Sequence, residues 1–144
     1  MDRNDYFSKA NEEYNKGEYE KAIELYKKIT LEDDYIGDVA LYNIGVSNIR
    51  LYLKTNEENY AKQAIDTLLC AFERNPFNTR AIFNLGYMYE AAPDKMRDEK
   101  KAYNYFKLCR AINETKGIDD PDVDKAIMLL ENRLNIIQRC ENEN

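Results

Sequence analysis

The chain has 144 residues, 33% charged and 44% apolar, with 21 basic and 27 acidic side chains giving a formal charge of −6. This balance points to one folded domain with a continuous core and excludes a disordered chain. The acid excess, with no basic stripe against it, excludes a nucleic-acid binder, and no apolar run approaches the roughly 18 residues of a membrane span.

The start, Met1 to Asp5, is polar and precedes no apolar stretch of signal-peptide length, so a cytoplasmic protein is expected. Apolar positions recur at three and four along the whole chain, the period of a helix, and no strand is expected. The first helix covers Asn4 to Lys16, and Gly17 ends it, because glycine takes a left-handed turn without steric cost. From Tyr19 to Leu31, Ala22, Ile23, Tyr26 and Ile29 form one stripe. From Ile36 to Leu53, Leu41, Ile44, Gly45, Ser47 and Asn48 share a side with Leu51 and Tyr52. Thr55-Asn56-Glu57-Glu58 then has the form of a capping box.

The next stripe is Ala64, Ile65, Leu68 and Ala71, and Asn75-Pro76 stops that helix at Arg74 by crowding the residue before the proline. Further helices cover Ala81 to Tyr89 and Ala102 to Ile112, separated by Pro93-Asp94. The last begins at Asp120-Pro121 and carries Val123, Ile127, Leu130, Leu134 and Ile137 on one side. Six or seven helices with short connections are antiparallel neighbours. Cys70, Cys109 and Cys140 all fall within helical patterns and read as buried or half-buried thiols, not as a disulfide or metal set.

Three segments of this series align with one another. Each first helix has a small residue at the same place, Ala10, Gly45 and Gly86. Each second helix has Ala22, Ala64 or Ala102, followed four residues on by Tyr26, Leu68 or Phe106. Two helices cross at short range only where the crossing residues are small, and a large side chain then fills the next gap.

The motifs Gly17-Glu18-Tyr19-Glu20-Lys21-Ala22-Ile23, Tyr42-Asn43-Ile44-Gly45, Ala64 to Pro76, and Phe83-Asn84-Leu85-Gly86-Tyr87-Met88-Tyr89 carry a further reading. In them the chain resembles the tetratricopeptide repeat (TPR) family, whose unit is a helix-turn-helix. The resemblance implies an all-α superhelical solenoid: three repeats at about 3–37, 38–78 and 79–116, closed by a capping helix at about 121–140, in a single domain over 1–144. Ala10 to Ala22 spans 12 positions, whereas Gly45 to Ala64 spans 19 and Gly86 to Ala102 spans 16. The seven and four extra residues read as longer helices, or alternatively as a polar ridge that meets a partner.

Carried over from the family, a concave groove is implied along the first helices. Its lining is Asn4, Phe7, Asn11 and Tyr14, then Val39, Tyr42, Asn43, Val46, Ile49 and Arg50, then Arg80, Phe83, Asn84, Tyr87 and Glu90. Phe7, Tyr42 and Phe83 are equivalent, as are Asn11, Val46 and Tyr87. One subclass of the family grips the C-terminal carboxylates of heat-shock chaperones with lysine, asparagine and arginine. Asn11 and Asn43 match its asparagines and Arg80 gives a basic substitute, while Phe7 and Asn84 stand where a lysine and the arginine belong.

Histidine is absent, which removes the commonest general base and metal ligand, and there is no glycine-rich phosphate loop. The acidic pairs Asp33-Asp34, Glu57-Glu58 and Asp119-Asp120 fall at helix starts or turns, where they complement helix dipoles. No catalytic residue, metal site or cofactor is expected. The expected function is a protein–protein interaction module, adaptor or chaperone-like, holding a protein or peptide segment in the groove. The alternatives are a self-associating structural subunit, with weak homo-oligomers, a chaperone of the bacterial-secretion type, or a heat-shock co-chaperone.

Overall fold

The computed structural model describes residues 2–30 and 37–143, side chains at 30 and 136–138 excepted. Among the described residues the chain forms seven helices and no strand. They are α1 (Arg3–Asn15), α2 (Tyr19–Thr30), α3 (Gly37–Thr55), α4 (Glu58–Arg74), α5 (Thr79–Ala91), α6 (Glu99–Thr115) and α7 (Pro121–Asn142). The helix limits expected at Leu31 and Ile36, the Asp33-Asp34 pair and the Ile137 side chain lie outside the described residues. The chain divides into two compact units, Met1–Ala81 and Ile82–Asn144.

In the first unit, α1 begins with a capping box made from two acids. Asp2 Oδ1 accepts from the Asp5 amide at 3.0 Å, and Asp5 Oδ2 accepts from the Asp2 amide at 3.3 Å. Gly17 closes the helix at φ +82°. The capping box expected at Thr55 does not form. Thr55 is still helical; its hydroxyl donates to the Leu51 carbonyl at 2.8 Å and accepts from the Glu57 amide at 3.2 Å. Glu57 takes the cap position of α4 and its side chain makes no capping bond. The cause is length: the seven-residue insertion extends α3 to 19 residues and α4 to 17. The chain then reverses at Asn56, which sits at φ +60°, where a short amide side chain is tolerated.

The four-residue insertion in the second unit behaves differently, because it lengthens neither helix end at that turn. It folds into a short knot after α5. The Met96 and Arg97 amides both donate to the Pro93 carbonyl, and the Asp98 amide donates to the Tyr89 carbonyl. Arg97 Nε donates to the Ala92 carbonyl at 3.2 Å, and the same guanidinium pairs with Asp94 at 3.2 Å. Asp98 then caps α6 by accepting from the Lys101 amide at 3.1 Å.

Both units are built on the same crossing. Ala10, Gly45 and Gly86 are buried, as are Ala22, Ala64 and Ala102. A Cβ placed on Gly45 would lie 2.6 Å from Leu68 Cγ, and one on Gly86 would lie 2.7 Å from Phe106 Cε1. Tyr26, Leu68 and Phe106 are themselves buried, so the large residue occupies the space that the small one leaves. The stripes expected on α2, α3 and α4 face inward, with Ile29, Ile44, Asn48, Leu51, Tyr52, Ile65 and Ala71 buried.

In the second unit α7 starts at Pro121, with Asp120 accepting from the Asp122 amide at 3.1 Å. Val123, Ile127 and Leu130 are buried and Leu134 is half-buried. Burial of each of the first three contributes roughly 1.5 to 3 kcal/mol. Two polar ties fix α7 to α6: Tyr103 donates to Glu131 at 3.1 Å, and Arg133 meets Glu99 at 2.8 Å.

The cysteines depart from expectation in exposure. Cys109 is buried, but Cys70 and Cys140 are exposed, and no disulfide joins any of them. Cys70 follows Asp66 by one turn on the outer side of α4, where Lys62 and Glu73 are also exposed, while Leu68 and Ala71 face inward. Among the described residues no helix is long and apolar enough to cross a membrane.

The crossing makes a direct prediction. Gly86→Ala pushes a methyl group into the Phe106 ring and should destabilise the chain by about 1 to 3 kcal/mol, the usual cost of overpacking a tight core. Urea unfolding followed by far-ultraviolet circular dichroism measures it. An unchanged midpoint would show that the crossing has slack.

Candidate functional site

The candidate wall starts in the first unit from Tyr14 and Arg50. Arg50 Nε on α3 donates to the Tyr14 hydroxyl on α1 at 3.2 Å. That bond shows that these side chains of α1 and α3 reach each other, both helices being packed on α2. Tyr42, Asn43, Val46 and Arg50 recur at three and four along α3, and Phe7, Asn11 and Tyr14 do so along α1, so each set shares one face of its helix. All of them are half-buried except Arg50, which is exposed.

Half-burial has a cause in each case that can be traced. Phe7 and Tyr14 lean on the core formed by Ala10, Ala22, Tyr26, Ile29, Ala40 and Ile44. The Phe7 ring meets the Tyr26 ring edge-on at 5.9 Å, and Tyr14 meets Tyr19 edge-on at 5.2 Å. Asn11 accepts a short hydrogen bond from the Tyr26 hydroxyl. The Tyr26 phenol is pushed up to about 12 by burial, with Tyr14 adding to the effect, so its proton stays on. The Asn43 carbonyl accepts from the Ser47 hydroxyl at 2.8 Å.

Of the wider set expected to line the groove, Asn4 and Val39 are exposed. Ile49 is not available: it is only 5% exposed and belongs to the core. Its place corresponds to Tyr14 and Glu90, which are half-buried, whereas Ile49 is buried. Arg80 is exposed in the first turn of α5. The turn before it is held by Asp38, whose Oδ2 accepts from Asn75 Nδ2 at 3.1 Å and Asn78 Nδ2 at 3.3 Å. Asn78 Oδ1 in turn accepts from the Ala81 amide at 3.1 Å and caps α5. Sequence reasoning missed this arrangement, although Asn75-Pro76-Phe77-Asn78 carries the turn residues that signal it.

In the second unit Phe83, Asn84 and Tyr87 are half-buried on one side of α5. Phe83 meets Phe106 edge-on at 5.3 Å, which commits part of its ring to the core. Glu90, one turn beyond Tyr87, is met by Arg133 of α7 at 4.0 Å, and the same guanidinium reaches Glu99 of α6 at 2.8 Å. Burial raises the Glu90 carboxyl; Arg133 opposes the rise and Glu99 adds to it.

The Cys109 thiol is pushed up to about 11 by burial and by Asp120, which keeps it protonated and unreactive. The acids of the α6–α7 turn line a small open hollow with Arg110 and Asn113, and Asp120 is spent on capping α7. Among the described residues no three His, Cys, Asp or Glu side chains could hold a metal ion together.

No family model matches the sequence. No curated protein matches it either. Solved structures do. The first TPR of Spaghetti (RPAP3) bound to the HSP90 peptide SRMEEVD is similar over 92% of this chain and 93% of that one, at 18% identity and a TM-score of 0.74. The Sgt2 TPR domain from Aspergillus fumigatus is similar over 95% of this chain and 82% of that one, at 19% identity and a TM-score of 0.72. MamA is similar over 96% of this chain and 81% of that one, at 20% identity and a TM-score of 0.64. By fold the chain is a tetratricopeptide-like helical repeat protein.

The Glu90 environment gives a pH-dependent prediction. A carboxyl raised in the folded state lends stability that is fully present below its unfolded pKa and is lost as pH rises through the folded value. Glu90→Gln should therefore melt higher than the parent at pH 7, with the gap closing as pH falls through the carboxylate range. Thermal melts from pH 3 to 8, within about one pH step of each other, check the sign. A gap that widens on acidification would mean that Arg133 outweighs burial.

Proposed function

We propose that this chain is a non-enzymatic protein–protein interaction module, an adaptor or chaperone-like protein, that receives a peptide or protein segment along its first helices. The proposed contact residues are Phe7, Asn11, Tyr14, Tyr42, Asn43, Val46, Arg50, Arg80, Phe83, Asn84 and Tyr87. One observation carries the reading: Arg50 Nε on α3 donates to the Tyr14 hydroxyl on α1, which supports taking the half-buried rings and amides of these two helices as one surface. Aromatic side chains supply binding energy at protein interfaces with little entropy loss, and amides satisfy the main chain of an extended guest. A cytoplasmic site of action accords with the polar sequence.

The RPAP3 repeat holds an HSP90 peptide, which makes a short peptide a reasonable kind of guest. The same chemistry of carboxylate gripping is weakened here, because Phe7 and Asn84 are uncharged. By this reading SRMEEVD binds this chain only feebly.

The test uses an immobilised library of dodecapeptides with both ends capped. Wild-type chain retains a subset, and Tyr42→Ala with Val46→Asp lowers retention by about tenfold or more, the size of a lost hot spot. The melting temperature falls by only a few degrees, since neither side chain is fully buried. Parallel losses of stability and retention would make these residues core, and the reading would fail.

A second reading is self-association through α7, favoured by the exposure of Met128 (56%) and Leu129 (46%) on its outer side. Light scattering at rising concentration distinguishes the two readings: a dimer abolished by Met128→Glu with Leu129→Glu supports assembly, and a monomer throughout refutes it.

A further inference from the structure

Tyr26, Leu68 and Phe106 hold the same place in three second helices, and each fills the gap beside a small residue. Leucine and phenylalanine fill that gap with no polar atom. Packing therefore does not call for the hydroxyl of Tyr26, a residue only 1% exposed. A buried hydroxyl without a partner costs about 1 to 3 kcal/mol, so it is retained where something answers it. Here the answer is Asn11 Oδ1 on α1. The residues equivalent to Asn11 are Val46 and Tyr87, opposite Leu68 and Phe106. Only the first helix pair combines a hydroxyl at the filling position with an amide at the wall position.

An amide side chain has an accepting end and a donating end. The Tyr26 phenol keeps its proton at any working pH, since burial pushes it up to about 12. In this bond the hydroxyl donates, and the Asn11 end that it meets is the oxygen. Turned over, the amide would donate from Nδ2 to the phenol oxygen and leave the buried phenol proton without an acceptor, so the orientation with Oδ1 toward Tyr26 answers the hydroxyl better. The two Nδ2 protons are then left for a partner beyond Tyr26. One turn to either side of them along α1 are the rings of Phe7 and Tyr14.

We propose that Tyr26 is a positioning residue: it holds the Asn11 amide with Nδ2 turned away from the core, as a donor to a main-chain carbonyl of an extended guest. The inference rests on the wall described under the proposed function and adds the bond by which that wall reads a backbone. A carbonyl is the acceptor of choice because the flanking α1 positions are uncharged rings, which suit the apolar side chains on either side of a peptide unit. A terminal carboxylate is the competing acceptor, and the capped library separates the two.

The experiment has one arm without guest and one with it. In the first, the side-chain amide pair of Asn11 is followed in a nitrogen–proton correlation spectrum of the full-length labelled chain. Tyr26→Phe keeps the ring, places at this site the residue found at 106, and shifts that pair. An unmoved pair overturns the positioning role. In the second, Asn11→Asp keeps the acceptor for Tyr26 but removes both donors. It melts close to wild type yet loses about tenfold in retention of the end-capped dodecapeptides, the value of one hydrogen bond to a guest. Tyr26→Phe loses about threefold to tenfold, and Tyr26→Phe with Asn11→Ala loses no more than Asn11→Ala alone, because the two act through one bond. Full retention by Asn11→Asp, or additive losses in the double variant, sinks the inference and leaves the wall standing. Retention only of peptides with a free C-terminus overturns the carbonyl assignment. A wild-type chain that retains no peptide removes the wall itself, and the inference with it.

Discussion

Two helices can lie close enough to exclude water only if something small sits where their axes cross, and each pair in this chain depends on that. At Gly45 and Gly86 a single added carbon would meet Leu68 or Phe106 at 2.6 to 2.7 Å. At Ala10 the crossing is with α2, where Ala22 is also fully buried. The close approach is what lets Tyr26, Leu68 and Phe106 fill the adjoining space, and hence what sets the spacing between helices. Everything on the outer side of the first helices inherits its position from these contacts. Within each unit the half-buried rings of the first helices rest on this packing, because the backbone beneath them cannot move outward without opening a void.

That dependence ties binding to stability. Phe7 and Phe83 are half-buried and meet the buried rings of Tyr26 and Phe106 edge-on, and Tyr14 packs against the core beside Ala10 and Tyr26. A ring held in this way would lose little conformational entropy to the proposed guest, since its rotamer is already selected. The same sharing means that truncating such a ring disturbs the fold as well as the surface. Tyr42 and Val46 on α3 are the cleaner reporters of the proposed surface, whereas Asn11 reports on its bond to Tyr26.

Polar ties do the remaining positioning. Asp38 gathers Asn75 and Asn78 and so sets the turn that leads into α5. In the second unit, Arg133 on α7 reaches Glu99 and Glu90, joining the last helix to both helices of the preceding pair. These bonds are individually modest, as ion pairs near the surface generally are. They act together with Val123, Ile127 and Leu130, whose burial supplies the larger share of what holds α7 in place.

The helical class, a count of six or seven helices and the small-then-large crossing could all be read from residue order, because each follows from local periodicity and side-chain size. Gly17, Asn75-Pro76 and Asp120-Pro121 punctuate the chain through backbone geometry that any context would impose. Three matters were settled only by the folded chain. Thr55 has the sequence of a cap but lies inside a lengthened α3, because packing against α4 prolonged the helix past its local stop signal. Ile49 has the register of Tyr14 and Glu90 but is buried, which depends on what the fold packs over it and not on its own helix. The hydroxyl of Tyr26 looks like part of an apolar stripe until α1 is brought against α2 and Asn11 meets it. A one-dimensional pattern tells which face a side chain is on; which of its atoms finds a partner depends on what another helix, distant in sequence, places opposite.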